Sequence, residues 1–458
     1  LRYGSGWSQQ AYLKSTDTAA GDHFGESVAV SGDTAVVSAP GADGGRAGAS
    51  YSGAVYVFIK EGTTWRQQAC LTVPGRSGVD SFGGPVAICG DTLVVGVDGE
   101  SSAAAEGKSG GEGELMAGAA YVFVRDGGQW TQQARLEASN ARYKLHFGTS
   151  GAISGDTVIV GAIGDNSAAG GVNGDQTDDS LVGAGAAYVF ARDGTKWSQQ
   201  AYLKASKPGE FDRFGTAVAI SGDTAVVGAV AARGGSAKPG AKGGDRGGND
   251  DGPGAAFVFV RAGETWSAQA RLVPPDFKGG EEFGASVAIC GDRVVVGAPQ
   301  EGDRTKQRRD FAGASYVFLR KDAVWDRGTR IMASNGESGD QFGGVVAISG
   351  GTVAVGAAAE DGFARGVNGD QDDGSSGNRD SGAAYVFVIA GTEPGEAAPA
   401  DAGGGKGTLE EQIFGYWGTD WNAMAKSWQP FVEGSLEMRG IGPDHKDRAA
   451  AEKEAVEE

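Results

Sequence analysis

The chain has 458 residues, 82 of them glycine, with 40% hydrophobic residues and a formal net charge of −19. Dense Val, Ile, Phe and Tyr runs supply a sizeable core and exclude a disordered chain. The negative charge would repel a phosphate backbone and argues against nucleic acid as a partner, and no apolar run approaches the roughly 20 residues of a membrane-spanning helix.

The chain opens without Met, as a processed or trimmed form would, and no charged-then-apolar signal segment precedes Leu1. Its first feature is Trp7-Ser-Gln-Gln-Ala-Tyr-Leu13. Phe-Gly then recurs at Phe24, Phe82, Phe147, Phe214, Phe283 and Phe342, which makes the chain an array of repeats rather than a few unrelated domains. Each unit continues with an alternating strand, a Gly-Asp step (Gly32-Asp33, Gly155-Asp156, Gly222-Asp223; Gly350-Gly351 in the last copy) and a short apolar strand. Glycine at the first central position predicts a two-residue type II′ hairpin.

After a loop of variable length comes the most uniform strand, such as Ala186-Ala-Tyr-Val-Phe190, then a polar turn and a Trp-led strand at Trp65, Trp130, Trp197, Trp266 and Trp325. The sixth unit has no Trp strand, and the N-terminal Trp7 segment supplies one. Six units of four antiparallel strands, the last closed by the N-terminal strand, predict an all-β, six-bladed propeller over residues 1–390 with only short, protected edges. A seventh blade is the other arrangement for a chain trimmed at Leu1. Cys89 and Cys290 occupy a position held elsewhere by Ser, and with Cys70 they read as buried structural thiols rather than a disulfide framework.

The pattern FGxxVAxxGDxxVVGA followed by GAAYVF resembles the FG-GAP repeat family, over about residues 7–389. That resemblance implies a β-propeller like those of integrin α-subunit heads and of many secreted or surface proteins. Integrin-type members hold calcium in a DxDxDG loop between the first and second strands. Here that place carries only Ser-Gly-Asp-Thr or a variant, too short for six to eight oxygens.

Acidic clusters instead sit between the second and third strands. Asp165, Asn173, Asp175 and Asp178 in the third unit, and Asp361, Asn368, Asp370 and Asp372 in the sixth, space their oxygens like the start of a calcium loop. The Gly falls one place late and no Glu holds the twelfth position, so a solvated Gly/Asp turn is the competing reading. These loops should emerge together as a crown, where a binding surface would lie. No phosphate loop, zinc-spaced Cys/His set or nucleophile elbow occurs. His23 and His146 stand where Ser81, Arg213, Glu282 and Gln341 stand in other copies, which suits the surface better than catalysis.

Residues 391–407 are rich in Ala, Gly, Pro and Glu and read as a flexible linker. In the 408–458 tail, Thr408-Leu-Glu-Glu411 fits a capping box starting a short helix, and Trp421, Met424, Ala425 and Trp428 share one face of another. Phe414, Trp417, Trp421, Met424, Trp428 and Phe431 are the expected partner-binding side chains. The sequence therefore predicts a non-catalytic protein-binding or scaffolding propeller, a peripheral subunit contacting other protein subunits through its tail and crown loops. An extracellular adhesion or carbohydrate-binding propeller, and a hydrolase using crown carboxylates, are the alternatives.

Overall fold

The computed structural model describes residues 2–3, 6–7, 10–42, 53–73, 82–100, 116–232, 252–274, 280–302, 311–362, 381–389 and 413–414. All regular structure among them is β. Antiparallel sheets follow one another along the chain, one for each repeat, and make a six-bladed β-propeller. Blade three shows the plan: Phe147–Ser154, Thr157–Ala162, Ala186–Asp193 and Lys196–Leu203 pair in sequence order. First strands of neighbouring blades pack on one another around the axis. Second strands are buried along their whole length in blades one to four, as their unbroken apolar runs require.

The Gly-Asp steps are hairpin turns with glycine at φ 53–56° and the following Asp outside the left-handed region, the type II′ geometry. The second hairpin of blade five is less favourable. It places Asp322 at φ 50° and Ala323 at φ 65°, and a left-handed L-residue costs about 1–2 kcal/mol. Ala323→Gly is therefore expected to raise stability by about 0.5–1 kcal/mol once glycine's larger unfolded-state entropy is subtracted, read as an upward shift of the urea midpoint.

In blades two to six the Phe of the Phe-Gly wedges between its own blade and the one before. Phe147 is fully buried, lies 5.4 Å from the Tyr188 ring and 5.9 Å from Phe190, and shares a core with Val122 and Leu136 of blade two. The residue preceding it is constrained through its backbone: His23, His146, Arg213, Glu282 and Gln341 all have φ between 54° and 58°. This explains why such different side chains serve there.

A second set of fasteners ties each blade to its predecessor at the Gly-Asp end. Arg192 donates to Asp156 of its own turn at 2.6 Å and to Thr92 of blade two at 3.1 Å, and lies 5.2 Å over the Trp197 ring. The Trp197 indole in turn donates to Gln133 of blade two at 2.8 Å. Blades two, four and five repeat the arrangement with Arg125–Trp130, Arg261–Trp266 and Arg320–Trp325. Cys89 and Cys290 accept the turn N–H of Gly155 and Gly350 in the next blade, as Ser154 does for Gly222. Cys70, expected in the interior, is exposed because its strand is the outermost of its blade.

Two details at the chain ends differ from expectation. Gly6–Trp7 pairs with Arg2–Tyr3, a local hairpin that needs no long-range closure, and the third strand of blade six, Ala383–Val388, pairs only with Thr352–Ala357 among the described residues. Gln10 nonetheless accepts the Trp65 indole N–H at 3.3 Å, the place Gln133 takes for Trp197. Ile413–Phe414 is a short strand pairing with Val346 and Ala347 of blade six, so no helix begun at Thr408 runs through it.

Candidate binding surface on the loop crown

At the crown the loop leaving the second strand carries an acid at one recurring place: Glu100, Asp165, Glu301 and Glu360 in blades two, three, five and six. In blades two, three and five it accepts the phenol of the third-strand tyrosine. Tyr121 donates to Glu100 at 2.8 Å, Tyr316 to Glu301 at 2.7 Å and Tyr188 to Asp165 at 3.2 Å. Fourth-strand cations complete the group, Arg135 on Glu100 at 2.8 Å and Arg330 on Glu301 at 2.6 Å. Blade four has Ala232 for the acid and Phe257 for the tyrosine, whereas blade one has Ala42 for the acid and keeps Tyr56. A buried phenol needs its acceptor, and a buried carboxylate needs its donors.

Blade three develops this group furthest. Asp165 is fully buried and accepts from Lys204 Nζ at 2.9 Å, Tyr202 at 2.7 Å, Asn140 and Arg142 at 3.1 Å each, and the Ser167 backbone N–H at 3.0 Å. Burial works to raise its pKa, but the Lys204 ammonium and these donors hold it at about 2. Lys204, itself 1% exposed, is drawn down by burial against the pull of Asp165. The oxygens expected to face a cation face an ammonium, a guanidinium and two phenols instead.

The rest of the loop is held as tightly. Val172 bridges to Leu203, and Asn173, at φ 55°, accepts the Tyr202 N–H at 2.9 Å, laying the loop along the outer edge of the fourth strand. Asp175 accepts from the Thr177 N–H and hydroxyl, and Asp178 from the N–H groups of Ala168 and Ser180. Both carboxyls are held below their ordinary range by these bonds. They close turns, the competing reading of this segment.

Among the described residues no group of three His, Cys, Asp or Glu side chains is placed to hold a metal. We expect added calcium, or a chelator, to leave the melting temperature unchanged, checked by differential scanning calorimetry; a calcium-dependent rise would restore the cation reading. In blade six, Asp361 adds to the negative field around Asp340, whose pKa is raised by burial to about 6. Asn368, Asp370 and Asp372 lie outside the described residues, as do Trp417, Trp421, Met424, Trp428 and Phe431. Phe414 lies in the short strand against blade six.

Around the blade-three loop stand two exposed apolar side chains that sequence reasoning missed, Tyr143 at 55% and Val182 at 47% exposure. The Arg142 side chain, next to Tyr143, donates to Asp179 at 2.7 Å, and the Val182 carbonyl accepts from Phe211 N–H. For the Asp165 partners Tyr202 and Lys204 a signal was available: the octapeptide Trp197 to Lys204 recurs unchanged as Trp7 to Lys14.

The FG-GAP repeat profile matches residues 7–58, 65–123, 130–190, 197–259, 266–318 and 325–387. The chain belongs to the FG-GAP repeat family. The six matches have the period of the six blades but are offset by one strand, each beginning at a Trp segment and ending in the next third strand along the chain. FG-GAP propellers commonly bind proteins or ligands and are typically non-catalytic. No curated protein matches the chain, and among its described residues no helix is long and apolar enough to cross a membrane.

Proposed function

We propose that this FG-GAP propeller is a non-catalytic protein-binding module, a peripheral subunit of a larger assembly that meets other subunits through its crown and through the segment after Ala390. The observation that carries this reading is the blade-three crown. The buried Asp165 carboxylate is satisfied internally, and Asp175 and Asp178 are held by bonds within the loop, while Tyr143 and Val182 are presented to solvent. A pre-organised loop with aromatic and apolar anchors and a polar surround suits an interface, because little ordering remains to be done on binding. Asp165 is poorly suited to acid–base work, since its lone pairs are taken and its pKa lies far from neutrality.

The test is affinity capture from native extract with the intact chain, a chain ending at Ala390, and a Tyr143→Ala, Val182→Asp double variant. Loss of the same subunits from the crown variant, with its melting temperature kept, supports the crown as the contact face. Loss only from the shortened chain would move the contact to the tail. Turnover or glycan binding by the purified chain would overturn the reading.

A further inference from the structure

The first strand of each blade lies nearest the axis, with one edge paired to the second strand and the other turned toward the central channel. Among the described residues, only blade six carries a further strand inside that inner edge. Its order runs Ala383–Val388, Thr352–Ala357, Phe342–Ser349 and then Ile413–Phe414, with Ile413 opposite Ala347 and Phe414 opposite Val346 in antiparallel register. The same two residues come within 8 Å, Cα to Cα, of Val28–Ser31 in blade one, Val86–Cys89 in blade two and Ser286–Cys290 in blade five. One dipeptide reaches the first strands of four blades only at the axis. Ile413–Phe414 therefore sits in the channel.

The blade that receives it is the one held least by its neighbours. Ile389 and Lys60 stand where Arg192 does, and Gly351 where Asp156 does, so neither junction of blade six has the Arg–Asp–Thr group that joins blades one to five. Its second strand is only half-buried at Thr352, Ala354 and Gly356. Beside the channel, Val28 of blade one is 39% exposed, against at most 2% for its counterparts Val86, Val218, Val287 and Val346. A strand edge binds any extended backbone, and an apolar wall beside it favours apolar side chains.

We propose that the inner edge of blade six is a strand-addition site for an extended apolar peptide, and that the chain's own Ile413–Phe414 fills it as an autoinhibitory contact. Two paired residues are a short hold, which a longer strand with more backbone bonds can replace. The tether offsets this weakness. About two dozen residues separate Ile413 from Ile389, roughly 80 Å of extended chain, and a flexible linker keeps its end at an effective concentration on the order of 1 mM. A free peptide of the same kind thus meets a filled site. A subunit that drew the tail away, in the assembly proposed above, would open the channel in the same step.

The experiment uses the purified full chain carrying Cys70→Ser, and as probe a fluorescein-labelled peptide of residues 412–417, Gln-Ile-Phe-Gly-Tyr-Trp. Ala347→Cys with Ile413→Cys is expected to give an intramolecular disulfide, because directly opposed residues of an antiparallel pair lie about 4.5–5.5 Å apart between Cα atoms. The oxidised chain should bind no peptide. Ile413→Pro with Phe414→Pro, which removes the backbone donors of the resident strand, should bind the peptide at least tenfold more tightly than the parent, read by fluorescence anisotropy. A disulfide-linked dimer would mean that a second copy supplies the strand and would overturn the inference, as would no cross-link in a chain that melts like its parent. Equal affinities of parent and proline variant would overturn it too. A proline variant that melts lower and binds no peptide would make the segment a structural clasp, again overturning the proposal. Should the cysteine pair not fold, the proline variant decides. Both are read on the purified chain, so they stand or fall apart from the assembly proposed above.

Discussion

Replacing Asp165 with alanine is expected to lower the free energy of unfolding by about 3–5 kcal/mol, the range for breaking one side of a buried ion pair. The ammonium of Lys204 has no exposure of its own and would lose its carboxylate, while Tyr188 and Tyr202 would lose an acceptor. Exchanging both partners, Asp165→Leu with Lys204→Met, should cost less than the single change, because no charge is then stranded. The urea midpoints of the three variants decide the matter. Equal losses for the single and double variants would mean that packing, not the stranded charge, sets the cost.

The same group sets a pH window. The folded-state pKa of Asp165, about 2, lies below its ordinary 3.8. Its contribution is therefore present above about pH 4 and is lost as pH falls toward 2, a loss of about 2 kcal/mol by linkage. Asp165→Asn should flatten the acid limb of the stability curve in that interval and leave its shape above pH 5 unchanged.

The second large effect is expected at Gly185, which precedes the third strand of blade three. Gly185 has φ 77° and pairs in parallel with Phe214 of blade four. A Cβ there would fall well inside van der Waals contact of the Phe214 carbonyl oxygen and amide nitrogen. Backbone cannot rotate out of the way as a side chain does, so the two blades would have to part. We expect Gly185→Ala to cost on the order of 4 kcal/mol, combining the left-handed penalty with the clash. Gly194→Ala, at φ 62° with nothing within 4 Å of the new Cβ, isolates the first of these and should cost about 1–2 kcal/mol. Similar losses for the two would show that blade contact adds nothing at Gly185.

What the sequence disclosed and what it withheld divide along the range of the interactions. The blades were legible because their signals are local: period-two alternation, glycine at the first turn position, and Phe-Gly at each start. The crown chemistry was not, since an Asp in a Gly-rich loop has the same spelling whether its oxygens meet an ion or an amide. Only the 2.9 Å contact to Lys204, 39 residues away, assigns Asp165. Cys70 was misjudged because strand order, not residue type, puts it on the outer edge. A helix begun at Thr408 does not run through Ile413–Phe414, which pairs with the distant Ala347 and Val346; the capping box itself lies outside the described residues. Arg192 and Gln133 went unnoticed singly, though each recurs with its Trp, because their partners belong to different repeats.

The direction of the Trp–Gln bonds bears on how the protein is made. In blades two to five the indole reaches back to a glutamine in a blade translated earlier, as Trp197 does to Gln133 and Trp266 to Gln200. A nascent chain can thus seat each new sheet on one already complete, without waiting for anything still inside the ribosome. Blade one also finds its acceptor, Gln10, upstream. Synthesis and assembly can proceed in the same order, and exposed sheet faces on the growing chain number one at a time rather than accumulating.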